Sequence, residues 1–313
     1  GVGHARKLGM DRALGLFDIS RDDLKLLICL DADTRVTAGY LSAIRRHFDV
    51  HPTPAAVVAY AHPLPDDPAL RAAIIEYEIF LRYYVLGLSW AASPYAFHTI
   101  GSTMVCTTAA YVAVRGMPRR QAGEDFYFLN KLAKLGPMGN IAATTVYPAA
   151  RASRRVPFGT GRRIVTRLEG PDEEYLVYDP GVFLHLKALL QEIMARPDRS
   201  GSALTAWSAS LHPRISSYLQ EQGFPAAWER IRRNSGSDAY LRRQFHVWFD
   251  GFKTLKLIRY LTGEAFPPVT VLKAVRQLLE KMGLPGPDRD QETGRTSPEY
   301  EEMMLAYLRS LPI

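Results

Sequence analysis

Short apolar runs alternate with segments of helical periodicity over the first half of this 313-residue chain. The apolar runs, each of which we predict to be a strand, lie at residues 24–30, 55–60 and 141–147. The helical segments lie at residues 4–16, 37–48, 67–88 and 124–135. Strands that alternate with helices usually form a parallel sheet that helices cover on both faces. The pattern predicts an α/β fold with a mostly parallel sheet, in which residues 24–30 form a central strand buried on both faces.

The pattern changes near residue 170, and helical periodicity dominates from there onward. We predict helices at residues 181–194, 203–223, 239–261 and 269–282, then a linker rich in Pro, Gly and Asp, and a last short helix. The sequence therefore predicts two parts, an α/β domain at residues 1–169 and a helical C-terminal region at residues 170–313.

Composition narrows the class of protein. Apolar residues make up 47% of the chain and charged residues 23%, as in ordinary globular proteins. The net charge of +7 favours acidic partners such as nucleotide phosphates, anionic lipid heads or nucleic acid. The chain has no zinc knuckle, no aromatic signature of an RNA-binding sheet and no basic recognition helix, so we predict no nucleic-acid partner.

The two cysteines, Cys29 and Cys106, both lie inside apolar runs. So few cysteines in a long chain favour a reducing compartment over a disulfide scaffold or a zinc site. The sequence shows neither a signal-peptide pattern nor an uninterrupted apolar run long enough to span a bilayer. These features predict a cytoplasmic protein and leave peripheral membrane contact open.

Two acidic motifs are the main candidates for chemistry. Asp31 and Asp33 follow the first apolar run, and Glu124 and Asp125 open a helical segment 91 residues after Asp33. Carboxylates at the end of a strand suit a divalent metal beside bound phosphates, and an acidic pair at a helix start offers a general base. The structural alternative is that the first pair occupies a turn or helix cap and the second merely stabilises a helix N-terminus. Arg35 stands where a phosphatase of the DxDx[TV] type needs Thr or Val, which excludes that class.

Four stretches, taken in order, resemble the motif series of family-2-type GT-A glycosyltransferases. They are GVGHARKLGMDRAL, LICLDADTRV, GSTMVCTTAAYVAVRG and GEDFYFLNKLAK, and the resemblance covers roughly residues 1–165. It implies a GT-A fold, which is Rossmann-like with a mostly parallel sheet. In that family a βαβ unit that holds the nucleotide base precedes the first of these stretches. Here the first stretch already begins at Gly1. Such a unit needs about 30 residues, so we expect a GT-A domain that is N-terminally truncated.

The resemblance also implies roles for the acidic motifs. Asp31 would face the ribose of the donor or the metal, and Asp33 would coordinate the Mg²⁺ or Mn²⁺ that bridges the donor diphosphate. Asp125 stands at the family's general-base position, with Glu124 as its support. The base would take the proton from the acceptor hydroxyl as that oxygen attacks the sugar.

Further residues are candidates for the donor and the acceptor. Arg6 and Lys7, the latter at a position where the family often has Asn, are candidates for the donor phosphate, with a solvated basic helix face as the alternative. Arg154 and Arg155 flank a glycine-containing loop that would close over the diphosphate, with a solvated basic loop as the alternative. The predicted acceptor residues are His98, Gly101 and Ser102, in the loop PYAFHTIGS, whose last two residues begin the third motif.

The predicted function is therefore a metal-dependent transfer of a sugar from a UDP- or GDP-linked donor to a hydroxyl acceptor, with inversion. The acceptor class that we expect is a glycan or a lipid-linked molecule. A second class stays open, a non-catalytic GT-A-like module that binds or scaffolds, because the nucleotide-binding unit is missing from the sequence at hand.

Overall fold

The computed structural model describes residues 1–18, 20–21, 23–152, 159–169, 175–263, 265–287 and 297–312. Within these ranges the chain forms a mixed α/β structure. The strands are β1 (Leu26–Ile28), β2 (Arg35–Val36), β3 (Ala55–Tyr60), β4 (Met104–Thr107), β5 (Met138–Tyr147), β6 (Leu176–Val177) and β7 (Val269–Thr270). The first helices are α1 (Val2–Leu14), α2 (Tyr40–Val50), α3 (Pro68–Trp90), α4 (Thr108–Ala113), α5 (Glu124–Leu132) and α6 (Thr160–Glu169). The later helices are α7 (Gly181–Ala195), α8 (Gly201–Leu211), α9 (Pro213–Glu221), α10 (Phe224–Arg233), α11 (Asp238–Trp248), α12 (Gly251–Leu261), α13 (Val271–Met282) and α14 (Pro298–Ser310).

The chain divides into two compact units. The first contains Gly1–Arg82, Phe97–Glu173 and Pro287–Ile313, and the second contains Tyr83–Ala96 and Glu174–Gly286. The first unit thus differs from the predicted N-terminal domain in two respects: it lacks the segment after Arg82 and it includes the C-terminal helix α14.

Five strands of the first unit form one mixed sheet in the order β1-β4-β3-β5-β2. Among the pairings in this described sheet β3–β5 is parallel, and β1–β4, β4–β3 and β5–β2 are antiparallel. The α/β class is confirmed, whereas the prediction of a mostly parallel sheet is wrong for these strands, because an apolar run carries no information about strand direction. The prediction of a central first strand is also wrong: β1 lies at an edge of the sheet, and of its three residues only Leu27 is fully buried.

The strands β1, β3 and β5 nevertheless run in the same direction, since β4 is antiparallel to both β1 and β3. Their carboxyl ends therefore lie at one edge of the sheet, the edge where α/β proteins usually bind ligands.

Helices cover both faces of the sheet. On β3 the residues alternate between the faces, as the period of a strand requires. Ala55 and Val57 pack in one cluster, with side chains of α1, α4 and α5, whereas Ala56, Val58 and Tyr60 pack in another, with side chains of α2. The strand predicted from this run of six apolar residues is confirmed, and the run is apolar throughout because both faces of the strand are buried.

A buried carboxylate joins α3 to α14. Glu78, whose side chain is 0% exposed, accepts hydrogen bonds from Nε and Nη2 of Arg309 at 2.7 and 2.8 Å. It also accepts one from Nε of Arg82 at 2.9 Å and two from the backbone N–H and Nδ1 of His62 at 2.8 and 2.9 Å. Burial alone would raise the pKa of Glu78, but the hydrogen bonds from Arg309 and His62 and the charge of Arg82 outweigh it. The pKa therefore lies well below its usual value, and the carboxylate is charged.

The second unit is mainly helical within the described ranges, and its helices are shorter than the sequence pattern suggests. The helix predicted at residues 203–223 consists of α8 and α9, which meet at His212 because Pro213 cannot continue the first helix. The helix predicted at residues 239–261 consists of α11 and α12, and Asp250 caps the second by accepting from the N–H groups of Phe252 and Lys253. The sequence pattern did not predict α10 in this unit or α6 in the first unit.

None of the helices within the described ranges combines the length and the apolar character that a bilayer-spanning helix needs.

Candidate active site at the sheet edge

Asp31 and Ser102 meet because of the register between β1 and β4. In this antiparallel pair Ile28 lies opposite Val105, so the residue three positions after Ile28 faces the residue three positions before Val105. The Ser102 hydroxyl donates a hydrogen bond of 2.8 Å to Oδ2 of Asp31. A residue predicted for the metal and a residue predicted for the acceptor are thus in direct contact.

Arg6 joins the two acidic motifs. From α1 its Nη2 donates to Oδ1 of Asp31 at 2.7 Å, and its Nη1 donates to Oε1 of Glu124. The Arg6 side chain is 13% exposed and that of Glu124 only 4%. Burial lowers the pKa of Arg6, but the charges of Asp31 and Glu124 outweigh it, so the pKa is raised. One guanidinium therefore holds together two carboxylates that lie 93 residues apart in the sequence.

Two glycines allow this arrangement. A Cβ atom on Gly101 would overlap the guanidinium of Arg6. A Cβ atom on Gly3 would lie 2.6 Å from two backbone carbonyl oxygens, those of Pro118 and Arg120. Since real Cβ atoms do not approach carbonyl oxygens so closely, α1 can pack against this segment only where it carries glycine. The absence of a side chain at both positions brings α1 and Arg6 to the acidic motifs.

Asp125 lies in the first turn of α5, after Gly123, which takes a left-handed conformation with φ of 70°. Its Oδ1 accepts a hydrogen bond of 2.7 Å from the backbone N–H of Phe126. The pKa of Asp125 is raised to about 6, chiefly because burial disfavours its charged form and because the Glu124 carboxylate lies next to it. A carboxylate with such a pKa is ionised at neutral pH and is a stronger base than an ordinary aspartate.

Asp33 pairs with a residue that the sequence analysis did not select. Arg151 directs Nε and Nη2 at Oδ2 of Asp33, at 2.8 and 2.5 Å. The pairing follows from the antiparallel β2–β5 register, in which Arg35 lies opposite Tyr147. Asp33 comes two residues before Arg35 and Arg151 four residues after Tyr147, so both lie beyond the same end of this strand pair. Both side chains are about half exposed, at 51% for Arg151 and 43% for Asp33. An exposed ion pair is worth about 0–1 kcal/mol, so this pair separates at little cost in free energy.

The residues Asp31 and Asp33 fit a metal ion that shares its coordination with a substrate. Across the described ranges the chain holds no group of three or more His, Cys, Asp or Glu side chains that would form a complete metal site. Mg²⁺ is usually bound by one or two carboxylates together with substrate phosphates, and it keeps several waters. The two carboxylates, 45% and 43% exposed, would supply that protein share, and substrate phosphates would have to supply the rest.

Lys7 lies apart from this cluster. Its Nζ is 3.1 Å from a carboxylate oxygen of Asp11, one helical turn further along α1. Asp11 in turn accepts a hydrogen bond of 2.7 Å from the hydroxyl of Tyr111. The structure thus gives Lys7 a partner on its own helix, whereas Arg154 and Arg155, the other predicted phosphate ligands, lie outside the described residues.

His98, the third predicted acceptor residue, packs edge to face against Tyr60, with 4.9 Å between the ring centroids. Burial lowers the pKa of His98 to about 3, and the charge of Arg82 acts in the same direction. The imidazole is therefore neutral at physiological pH. Of the predicted acceptor residues, Gly101 and Ser102 contact the Asp31–Arg6 cluster, and the contacts of His98 are with Tyr60.

Comparisons with protein-family models, with curated proteins and with solved structures found no significant match. The likeness to GT-A glycosyltransferases consequently rests on the four sequence motifs, and the function has to be argued from the site.

Proposed function

We propose that this chain is a metal-dependent glycosyltransferase of the family-2 GT-A type, which moves a sugar from a UDP- or GDP-linked donor to a hydroxyl acceptor with inversion. The observation that carries the proposal is the bridge that Arg6 makes between Asp31 and Glu124. It brings the two acidic motifs together at the carboxyl edge of the sheet, with Ser102 in the same cluster. Sugar transfer requires this proximity of the two acidic motifs, because the donor phosphates and the general base must lie in one cleft.

Asp125 is the proposed general base. It accepts the proton of the acceptor hydroxyl while that oxygen attacks the anomeric carbon, and the nucleoside diphosphate leaves. Its pKa of about 6 keeps most of it ionised at pH 7 and still gives it useful basicity. Glu124 supports it from the adjacent position, where Arg6 holds the Glu124 side chain in place.

Asp31 and Asp33 would hold the divalent ion, which supplies positive charge to the departing diphosphate. Ser102 and Arg6 orient Asp31 by binding one carboxylate oxygen each. Arg151, whose present partner is Asp33, is in a position to pair with donor phosphate oxygens once the ion pair opens. We place the protein in the cytoplasm, with a glycan or a lipid-linked molecule as acceptor.

A second candidate is a non-catalytic GT-A-like module that binds or scaffolds. The observation that favours it is that Asp31 and Asp33 already have positive partners, Arg6 and Arg151. A carboxylate held in this way does not need a metal ion to balance its charge.

The experiment is to incubate the chain with Mn²⁺ and millimolar UDP- and GDP-sugars and to measure the release of nucleoside diphosphate with and without simple glycoside acceptors. We expect acceptor-dependent release, and Asp125→Asn should lower it about 10²- to 10⁴-fold, the usual share of general-base catalysis. The matched control is Asp49→Asn, which removes an exposed carboxylate that pairs with Arg45 on α2.

Binding of UDP or GDP with Mn²⁺, measured by calorimetry, separates the candidates. Asp125→Asn should leave this binding unchanged, because the base contacts the acceptor. Metal-dependent binding without any turnover would favour the binding module, and the absence of both would contradict the two candidates together.

A further inference from the structure

A cavity of about 460 Å³ lies where β3 and β5 end. Arg35, Val36, His62, Leu64, Tyr147 and Arg309 form most of its lining. The volume falls within the usual range of small-molecule sites, about 300–1,000 Å³. The position is the carboxyl edge of two parallel strands, where α/β sheets bind their ligands. We propose that this cavity binds an organic anion, namely a phosphate or carboxylate group that is carried on an apolar body.

The charge of the described lining supports an anion. It includes the guanidinium groups of Arg35 and Arg309 and no carboxylate. Glu78, the acidic residue behind Arg309, is fully buried and is already matched by Arg309 and Arg82. Arg82 and Arg309 together carry two positive charges against the single negative charge of Glu78, which gives a net charge of +1. Arg35 adds a second net positive charge to the lining.

The orientation of Arg309 is fixed before any ligand arrives. Its Nε and Nη2 bind Glu78, and Nη2 also donates to the backbone carbonyl of His62 at 3.0 Å. These bonds leave Nη1 out of the network. A donor that is held in this way loses little conformational entropy on binding, so its affinity for an oxyanion is higher than that of a mobile side chain. Arg35 is exposed on β2 and provides an adaptable second donor.

The other walls favour an apolar body. Val36, Pro63, Leu64 and the ring of Tyr147 line the cavity beside the arginines. Leu64 also packs against a buried cluster that includes Ile74 and Tyr77 of α3, so its position is fixed by neighbours on that side. A site for a free inorganic ion would need only the guanidinium groups, whereas this one offers apolar surface as well.

The cavity begins close to the candidate active site. Arg35 follows Asp33 by two residues, so their Cα atoms lie at most about 7 Å apart. The Arg35 backbone therefore lies close to that of Asp33, whereas Asp33 itself is not part of the lining. The proposal concerns binding alone, and its test does not depend on whether sugar transfer is found.

The experiment is a calorimetric titration of the whole chain with phenyl phosphate, benzoate, phenol and inorganic phosphate. We expect phenyl phosphate or benzoate to bind more tightly than both phenol and inorganic phosphate, and the tighter of the two identifies the oxyanion. Arg35→Gln should weaken that binding about 10-fold or more, the factor expected for a charge-assisted hydrogen bond. The matched control is Arg46→Gln, an exposed arginine on α2 away from the lining, which should leave the affinity unchanged.

Leu64→Ala provides a second, independent test. A substitution of Arg309 is avoided because it would leave the buried Glu78 without two of its hydrogen bonds and would destabilise the fold. Leu64→Ala should weaken phenyl phosphate several-fold and leave inorganic phosphate unaffected. The proposal is overturned if phenol binds as tightly as the anions, if Arg35→Gln and Arg46→Gln behave alike, or if none of the four probes binds at millimolar concentration.

Discussion

The replacement of Glu78 by glutamine tests the buried charge cluster between α3 and α14. The substitution keeps the size of the side chain and removes its charge, so Arg82 and Arg309 lose their counter-charge. Breaking a buried ion pair costs about 3–5 kcal/mol. Two features favour the lower end of this range: Arg309 is 28% exposed and keeps some hydration, and the glutamine oxygen still accepts hydrogen bonds. We expect a loss of about 3 kcal/mol, which lowers the melting temperature by roughly 6–12 °C.

Glu302→Gln is the matched control for this prediction. It makes the same chemical change on the same helix, α14, and also removes a carboxylate that pairs with an arginine of α3, Arg71. Both partners of that pair are 35% exposed, and an exposed pair is worth about 0–1 kcal/mol. Thermal unfolding followed by circular dichroism measures both variants. Melting temperatures within about 2 °C of each other would refute the reasoning, because burial would then make no difference.

The pH dependence gives a second measure of the same cluster. The pKa of Glu78 is lower in the folded protein than its ordinary value of 4.5, so its charge stabilises the fold above that pH. The stabilisation is lost as the pH falls from there through the folded-state pKa. The difference in stability between the wild type and Glu78→Gln should therefore be constant near pH 7 and should shrink below about pH 4.5. If the difference in stability between the two proteins increased below pH 4.5, a group other than Glu78 would be responsible for the pH dependence.

Three further predictions concern the candidate site. Gly3→Ala should destabilise the protein by about 1–3 kcal/mol, because its Cβ would meet backbone carbonyl oxygens at 2.6 Å. Gly9→Ala on the same helix faces open space and should stabilise it by up to about 1 kcal/mol; urea unfolding compares the two, and equal shifts would argue against the close packing. Gly101→Ala should displace the Arg6 guanidinium and lower both the unfolding midpoint and the rate of sugar transfer, and an unchanged rate would show that the bridge is not needed. The kcat/KM of transfer should rise with pH around a midpoint near 6 as Asp125 ionises, and a flat profile between pH 5 and 8 would exclude it as the base.

The sequence predicts individual elements better than their arrangement. The strand at residues 55–60 is confirmed at both ends, because Pro52 and Pro54 precede its apolar run and His62 and Pro63 follow shortly after it. The position of β1 could not be read in the same way. Its run is apolar like that of a central strand, yet it lies at the edge, since the neighbours of a strand depend on where distant parts of the chain return.

The candidate site shows the same limit. The acidic residues stand out in the sequence because they lie at the ends of elements, and the structure brings Asp31 and Glu124 together. The bridge between them was not foreseen, because nothing in the sequence of α1 indicates that Arg6 faces inward between residues 31 and 124. Arg151 was missed for a related reason: its partner, Asp33, is set by the β2–β5 register, which becomes visible only in the folded chain.

The return of α14 to the first unit has a consequence for synthesis on the ribosome. Arg309 follows Glu78 by 231 residues, and translation at about 5–20 residues per second makes that interval roughly 10–50 s. Throughout this time the carboxylate of Glu78 lacks one of its arginine partners. The buried residues of α14, among them Met304 and Leu308, are likewise missing from the core of that unit. All residues of the second unit are synthesised before α14, so the second unit can fold while the first unit is still incomplete. The apolar surface that α14 later covers is therefore exposed in the nascent chain for this whole time, and we expect chaperones to bind the first unit more than the second.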